Sequence, residues 1–364
     1  MGFGNKLLNG TIRRKIGSYI SKVLYKNSIT INDLDKNDIV YSIDYDNSDR
    51  TNYICKLSNA YIYSTFGYYF NKDKKLIRDL IPTGMFDTLI LGGYFAFYPL
   101  RKKVYIKGNI FSLQSLWVVS FAHWIQDILP KLFILKDSGL FEKIDTIVLG
   151  SGCISSFHRE SLKLFGFDDK KIFYIDDEME VECENLYIPS LPCGVLRPDK
   201  WVFIRYNLFA KELFLRNKDN YTFPKKVYLR RKKLKTRNLL NEEELLNLLS
   251  QYGYEPICLE EHSLEYQFSL FYNVERVISI VGSGLANLIC SNKGIKVLGI
   301  EPYIRPEENT WTFILENVGG TYSYYTETNK DNFKFLNNHN KNNDFDFKID
   351  INEFTKVFNT FEYN

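Results

Sequence analysis

Residues 276–301 read Arg276-Val-Ile-Ser-Ile-Val-Gly-Ser-Gly-Leu-Ala-Asn-Leu-Ile-Cys-Ser-Asn-Lys-Gly-Ile-Lys-Val-Leu-Gly-Ile-Glu301. An apolar strand runs into a glycine turn, the turn opens a helix at 284–291, and a second apolar strand follows. The glycines permit a tight turn and let backbone N–H groups come close to a ligand, while the start of a helix attracts anions. Gly282-Ser283-Gly284 is not the dinucleotide fingerprint, because the third glycine is missing at the required spacing. Taken alone, the turn fits a phosphate ligand and a plain strand-to-helix turn equally well.

Working outward, Lys226-Val-Tyr-Leu-Arg and Glu255-Pro-Ile-Cys-Leu read as strands, and 241–252 and 263–273 as helices. Repeated βα units imply a parallel sheet with helices on both faces, whose ligand crevice lies at the carboxyl ends of the strands. A helix is expected at 199–216. Upstream, Pro189, Pro192, Gly194 and Pro198 punctuate a stretch without apolar periodicity. The expected division is therefore a first domain over 1–195 and a second over 196–364, with a C-terminal tail able to pack back on the first.

Within the first domain, residues 38–118 read as short Tyr- and Ile-rich strands of mixed or antiparallel pairing, including Tyr61-Ile-Tyr-Ser, Thr88-Leu-Ile-Leu-Gly and Lys103-Val-Tyr-Ile. A helix follows near Phe121, then a buried strand at Thr146-Ile-Val-Leu-Gly, a helix at 155–165 and a strand at Ile172-Phe-Tyr-Ile. The stretch 337–345, rich in Asn, Asp and Lys, reads as a solvated loop.

The 364 residues suit two α/β domains. A net charge of +3 gives no argument for nucleic-acid binding, and six cysteines without a CxxC pair point to free thiols in a reducing compartment. With neither a secretory signal nor a run of about 20 apolar residues, a cytoplasmic protein is expected. Residues 6–26 place Leu8, Ile12, Ile16, Ile20 and Val23 at helical spacing, with Lys6, Arg13, Arg14, Lys15, Lys22 and Lys26 on the other faces. Such a helix either packs on the body of the protein or lies on an anionic membrane surface, the inner face in this case.

Two further groups of residues can carry chemistry. Arg230-Arg-Lys-Lys-Leu-Lys-Thr-Arg237 follows a strand, where arginines can clamp a diphosphate; most of such a run is ordinarily a solvated face. Asn241, ahead of Glu242-Glu-Glu244, suits the N-cap of the next helix. In Phe121-Ala-His-Trp-Ile-Gln-Asp-Ile-Leu-Pro, His123 and Asp127 are four apart on one helix face. A carboxylate beside an imidazole stabilises the imidazolium formed when the ring takes a proton from a hydroxyl. A satisfied core histidine is the equal alternative. His158, His262 and His339 have no such neighbour. No DxD-like pair stands at a strand end of the second domain, and Asp168-Asp169 and Asp176-Asp177 read as turns, so no metal is expected.

Together these pieces resemble glycosyltransferase family 61, which includes plant xylosyl- and arabinosyltransferases, animal protein O-GlcNAc transferases and bacterial surface-polysaccharide enzymes. Three blocks carry the resemblance in order. They are Phe121-Ala-His-Trp-Ile-Gln-Asp-Ile-Leu-Pro-Lys-Leu; Val227-Tyr-Leu-Arg-Arg through Arg237-Asn-Leu-Leu-Asn-Glu-Glu-Glu-Leu; and Leu264-Glu-Tyr-Gln through Val281-Gly-Ser-Gly-Leu-Ala-Asn to Val297-Leu-Gly-Ile-Glu-Pro. The resemblance implies an α/β protein of the GT-B type, two Rossmann-like domains facing across a cleft, and inversion at the anomeric carbon. It also implies a nucleotide-sugar co-substrate, expected to be UDP-linked, with no other cofactor and no essential metal.

On that basis Arg231, Arg237, Asn241, Gly282, Ser283, Gly284, Leu285 and Asn287 are expected to bind the nucleotide sugar, with His123 and Asp127 facing the acceptor. The family usually has His where this chain has Val281, and Glu where it has Gly299. The expected acceptor is a glycan or lipid-linked saccharide, as in capsule or lipopolysaccharide synthesis. The two replacements also admit a catalytically silent sugar-nucleotide or glycan-binding module. A nucleotide-dependent oxidoreductase would need the glycine pattern the chain lacks. Oligomeric state is not legible.

Overall fold

The computed structural model describes residues 10–35, 38–45, 50–81, 101–115, 117–167, 170–194, 196–232, 237–301, 310–335 and 345–363. The strand expected at 88–92, residues 6–9 of the basic helix, Asp168-Asp169, positions 233–236 of the basic loop, His339, nearly all of 337–345 and Pro302 lie outside them. The chain divides into two compact units, Met1–Val202 and Phe203–Asn364.

In the first unit, β1 (Ile39–Ile43), β2 (Asn52–Tyr63), β3 (Tyr68–Phe70), β4 (Lys102–Ser112), β5 (Thr146–Gly150), β6 (Lys171–Ile175) and β7 (Met179–Pro189) form one sheet. Its order is β1-β2-β7-β4-β5-β6, with β3 paired to β2. The strands β7, β4, β5 and β6 run parallel, whereas β2 is antiparallel to β1, β3 and β7. The Rossmann-like character expected of this unit is thus confined to the parallel half, and an antiparallel layer extends it. β5 is buried along its whole length, as a strand covered on both faces must be. Leu57, Ile62, Ile106, Ile110, Val148, Val181 and Leu186 form the core.

The helix expected near Phe121 is not uniform. An α turn, Phe121–His123, passes into a π-helix, Trp124–Ile128, before regular helix resumes at Pro130–Asp137. The Leu129 N–H bonds the Trp124 carbonyl, and Pro130, which has no N–H to give, starts the next α turn. Single π turns inside helices are rare and concentrate at functional sites. Downstream of β7, β8 (Cys193–Gly194) and β9 (Arg197–Pro198) make a short hairpin within the punctuated stretch.

The second unit opens within the helix Lys200–Asn217, whose first three residues belong to the first unit. Its sheet contains β10 (Lys226–Arg230), β11 (Glu255–Cys258), β12 (Arg276–Ile280), β13 (Lys296–Glu301) and β14 (Thr321–Thr326). All are parallel, in the order β11-β10-β12-β13-β14. This is a doubly wound order with its topological switch between the first and third strands, β10 and β12.

On one face Tyr228, Ile278, Ile280, Leu298, Ile300 and Tyr325 pack against Leu245 and Leu249 of the helix Glu242–Ser250 and Phe354, Phe358 and Phe361 of the helix Ile351–Tyr363. The C-terminal tail therefore completes the second unit's own core. Its phenylalanines recur at helical spacing and complete a face of the sheet that would otherwise be wet. A two-stranded ribbon, β15 (Phe333–Phe335) with β16 (Phe345–Phe347), joins the same layer.

Candidate active site

In the first unit the connection leaving the carboxyl end of β4 carries the His123 pair. The His123 Nδ1 lies 2.7 Å from Asp127 Oδ2, and both side chains are largely shielded, at 14% and 12% exposure. The second carboxylate oxygen of Asp127 accepts the Leu196 N–H at 3.1 Å, so the hairpin after β7 orients the acid. With Nδ1 turned to Asp127, Nε2 is the nitrogen left to exchange a proton with a substrate hydroxyl. The Trp117 ring lies against the His123 ring, centroids 4.7 Å apart.

In the second unit the candidate site sits at the topological switch. Arg231 follows the last residue of β10, and Gly282 follows Val281 just beyond β12. A Cβ on Gly282 would stand 3.6 Å from the Arg231 guanidinium carbon, in van der Waals contact, so the arginine lies against the glycine of the turn. Burial, then the neighbouring positive charge of Arg237, lowers the Arg231 pKa from its usual value. Arg231 Nη1 and Arg237 Nε are buried without a hydrogen-bond partner among the described residues. Two close guanidiniums with orphaned donors form a site whose electrostatics call for an anion. Arg230, by contrast, is taken by Glu242 at 2.7 Å and serves the fold.

Arg237 is held in the left-handed region, φ 63°, by a parallel zipper. The Asn238 backbone N–H and Nδ2 both donate to Asp346 at 2.8 Å, and Leu239 bridges Phe347. Asn241 Nδ2 donates to the Ile349 carbonyl at 3.0 Å, and its Oδ1 accepts the Ile349 N–H at 3.1 Å. Asn241 stands at the N-cap position of Glu242–Ser250 but makes no side-chain cap bond. Its side chain is a stitch between segments, not the cap expected of it.

The turn after β12 opens a helix. The helix expected at 284–291 is a 3₁₀-helix, Ser283–Cys290. The Leu285 side chain is buried and its N–H donates to the Gly282 carbonyl at 3.1 Å. Asn287 is wholly buried, and its Nδ2 is shared between Gln267 Oε1 at 3.0 Å and the Gly284 carbonyl at 3.2 Å. The side chains of Leu285 and Asn287 thus build the turn from inside, with Asn287 Oδ1 buried and without a partner among the described residues. Gly282, Ser283 and Gly284 remain its outer edge, with the Ser283 side chain exposed. A Cβ on Gly284 would come 3.1 Å from Leu259 Cδ1.

Residues 121–298 match the Glycosyltransferase 61 family model. The match supports a glycosyltransferase, which moves a sugar from a donor to an acceptor. It runs from the α turn before the π-helix through β10 and the glycine turn into β13. No curated protein matches the chain. Among the described residues, no three His, Cys, Asp or Glu side chains gather to hold a metal ion, and no helix is long and apolar enough to cross a membrane.

Positions 281 and 299, the two at which the resemblance implied a departure, are neighbours: a Cβ on Gly299 would lie 3.1 Å from Val281 Cγ2. The two replacements are therefore one local change. Tyr322 of β14 fills the space above Gly299 and donates to Glu301 Oε1 at 2.7 Å. Sequence reading missed Tyr322, Glu301, Trp117, Leu196 and His158. The Gly-x-Glu spacing on β13 could have marked Glu301 as facing the same side as Gly299; nothing local marks the other four.

Proposed function

We propose that the protein is an inverting, nucleotide-sugar-dependent glycosyltransferase of the GT-B type, with the acceptor on the first unit and the donor on the second. The observation that carries this reading is the pair Arg231 and Arg237 at the switch point, with buried donors that lack partners among the described residues, Arg231 lying against Gly282. In the reaction, His123 Nε2 takes the proton of an acceptor hydroxyl as its oxygen bonds the anomeric carbon from the face opposite the leaving group. The bond from that carbon to the phosphate oxygen breaks, and the nucleoside diphosphate leaves with the electron pair. Asp127 stabilises the imidazolium, and Arg231, Arg237 and the outer N–H groups of 282–284 meet the leaving charge.

A thermal-shift screen of the full chain against nucleoside diphosphates and their sugars tests the donor half. A ligand at about 100 times its dissociation constant adds about 2.7 kcal/mol of stability. No shift with any of them sinks the reading. With the donor in hand, His123→Ala should slow transfer by about a hundredfold to ten-thousandfold. Binding without transfer or hydrolysis would favour the silent module that the replacements at Val281 and Gly299 admit.

The acceptor class we propose is a glycan or lipid-linked saccharide of surface-polysaccharide synthesis. Along the helix Gly10–Lys26, Ile16, Tyr19 and Val23 are exposed on one stripe beside exposed Lys15, Lys22 and Lys26. This arrangement suits an anionic membrane surface. Sedimentation with vesicles containing anionic lipid tests it: a chain lacking residues 1–26 that binds as well as the whole one overturns it.

A further inference from the structure

Trp117 combines three properties. Its backbone sits at φ 55°, a left-handed conformation that is an outlier for a bulky residue. Its side chain is 48% exposed, whereas Trp124, Trp201 and Trp311 are buried. Its ring rests against the ring of His123. Strain of this kind persists only where the surroundings enforce it, and it clusters at ligand-binding positions.

The surroundings here are specific. The Trp117 carbonyl accepts the Ser120 N–H at 2.8 Å, closing a turn. The next carbonyl, of Val118, bonds His158 Nε2 at 2.9 Å, while His158 Nδ1 accepts the Ser155 N–H at 3.1 Å. With Nδ1 accepting, Nε2 carries the proton and donates. His158 is fully buried, and burial lowers its pKa. The Val118 side chain is buried near Gly150, and Val119 lies against Gly152. The chain is thus fixed on both sides of Val118, and the indole is left in solvent beside the His123–Asp127 pair.

We propose that Trp117 is the platform on which the acceptor saccharide stacks, and that His158 is the positioning residue that holds it there. A pyranose has an apolar C–H face and a rim of hydroxyls. The indole face is negative and takes C–H groups, so a sugar lying on it brings its rim toward the imidazole it adjoins. The proposal rests on the glycosyltransferase reading for the word acceptor, but the stacking itself is separable.

The test uses the full chain and a panel of methyl glycosides of hexoses, N-acetylhexosamines and pentoses, read by saturation-transfer NMR. At least one class should receive saturation at its ring C–H protons from the wild type and lose at least four-fifths of it in Trp117→Gly. Glycine adopts φ 55° without penalty, so this variant should fold, and its thermal shift with nucleoside diphosphates should equal the wild type's. His158→Ala should expose or shift the emission of Trp117 and weaken the same glycoside, with partial rescue in His158→Gln, which keeps a donor and an acceptor. Equal glycoside binding in wild type and Trp117→Gly overturns the proposal, as does a wild type that binds none of the panel. If glycosides bind through Trp117 while no nucleotide shifts the protein, the donor reading fails and the platform stands.

Discussion

The Tyr322 hydroxyl donates to Glu301 at 2.7 Å, and its ring crosses Gly299 so closely that a Cβ there would sit 2.1 Å from the hydroxyl oxygen. Register explains it. Tyr322 pairs with Val297, two residues before Gly299 and four before Glu301 on the same face of β13, so the side chain must lean along the strand. Only a missing side chain at 299 leaves it a path to the buried carboxylate.

Gly299→Ala should therefore cost about 1–3 kcal/mol, the range of an overpacked core. Tyr322→Ala should cancel much of that loss, giving a coupling of about 0.5–3 kcal/mol in a double-mutant cycle. Urea denaturation of the four proteins measures it, and additive effects would show that the tyrosine does not occupy the space.

Removing Arg231 should separate stability from binding. Burial and the charge of Arg237 oppose the Arg231 cation, so Arg231→Ala should leave the melting temperature of the free protein unchanged or raise it. The same change removes charge-assisted bonds of about 1.5–3 kcal/mol, about a tenfold or larger loss of nucleoside diphosphate affinity. Arg231→Lys should recover little, because an ammonium lacks the planar fork. Calorimetric titration decides, and undiminished affinity would remove Arg231 from the donor site.

Asn241 distinguishes stitching from capping. Aspartate caps helices as well as asparagine does but cannot donate to the Ile349 carbonyl. Asn241→Asp should thus destabilise nearly as much as Asn241→Ala, by about 1–3 kcal/mol. If the aspartate variant melted with the wild type, the cap reading would be restored.

The buried His158 makes stability depend on pH. Its folded pKa is lowered from the ordinary 6.5, with burial as the first cause. As pH falls below 6.5, the unfolded chain takes a proton that the folded chain refuses, so stability declines down to the folded pKa and is unaffected above 6.5. His158→Gln should flatten this part of the curve. Melting temperatures at intervals from pH 8 to pH 5 would show it, and parallel curves for both proteins would count against a neutral, buried ring.

Sequence alone determined the local elements. The apolar runs of β10, β12 and β13, the glycine turn at 282–284 and the i, i+4 pair His123 and Asp127 are all readable over a few residues, because strand and helix periods are local properties. From their alternation the parallel sheet of the second unit followed, and from its carboxyl ends the placing of Arg231 near Gly282. Tertiary structure decided the rest. Asn241 meets Ile349 across 108 positions, His158 meets Val118 across 40, and Tyr322 meets Glu301 across 21. These partners are set by strand register and by which helix covers which face, and no periodicity announces them. The same packing turned Leu285 and Asn287 inward, set the helix after Gly282 as a 3₁₀-helix, and left Trp117 strained and exposed beside His123.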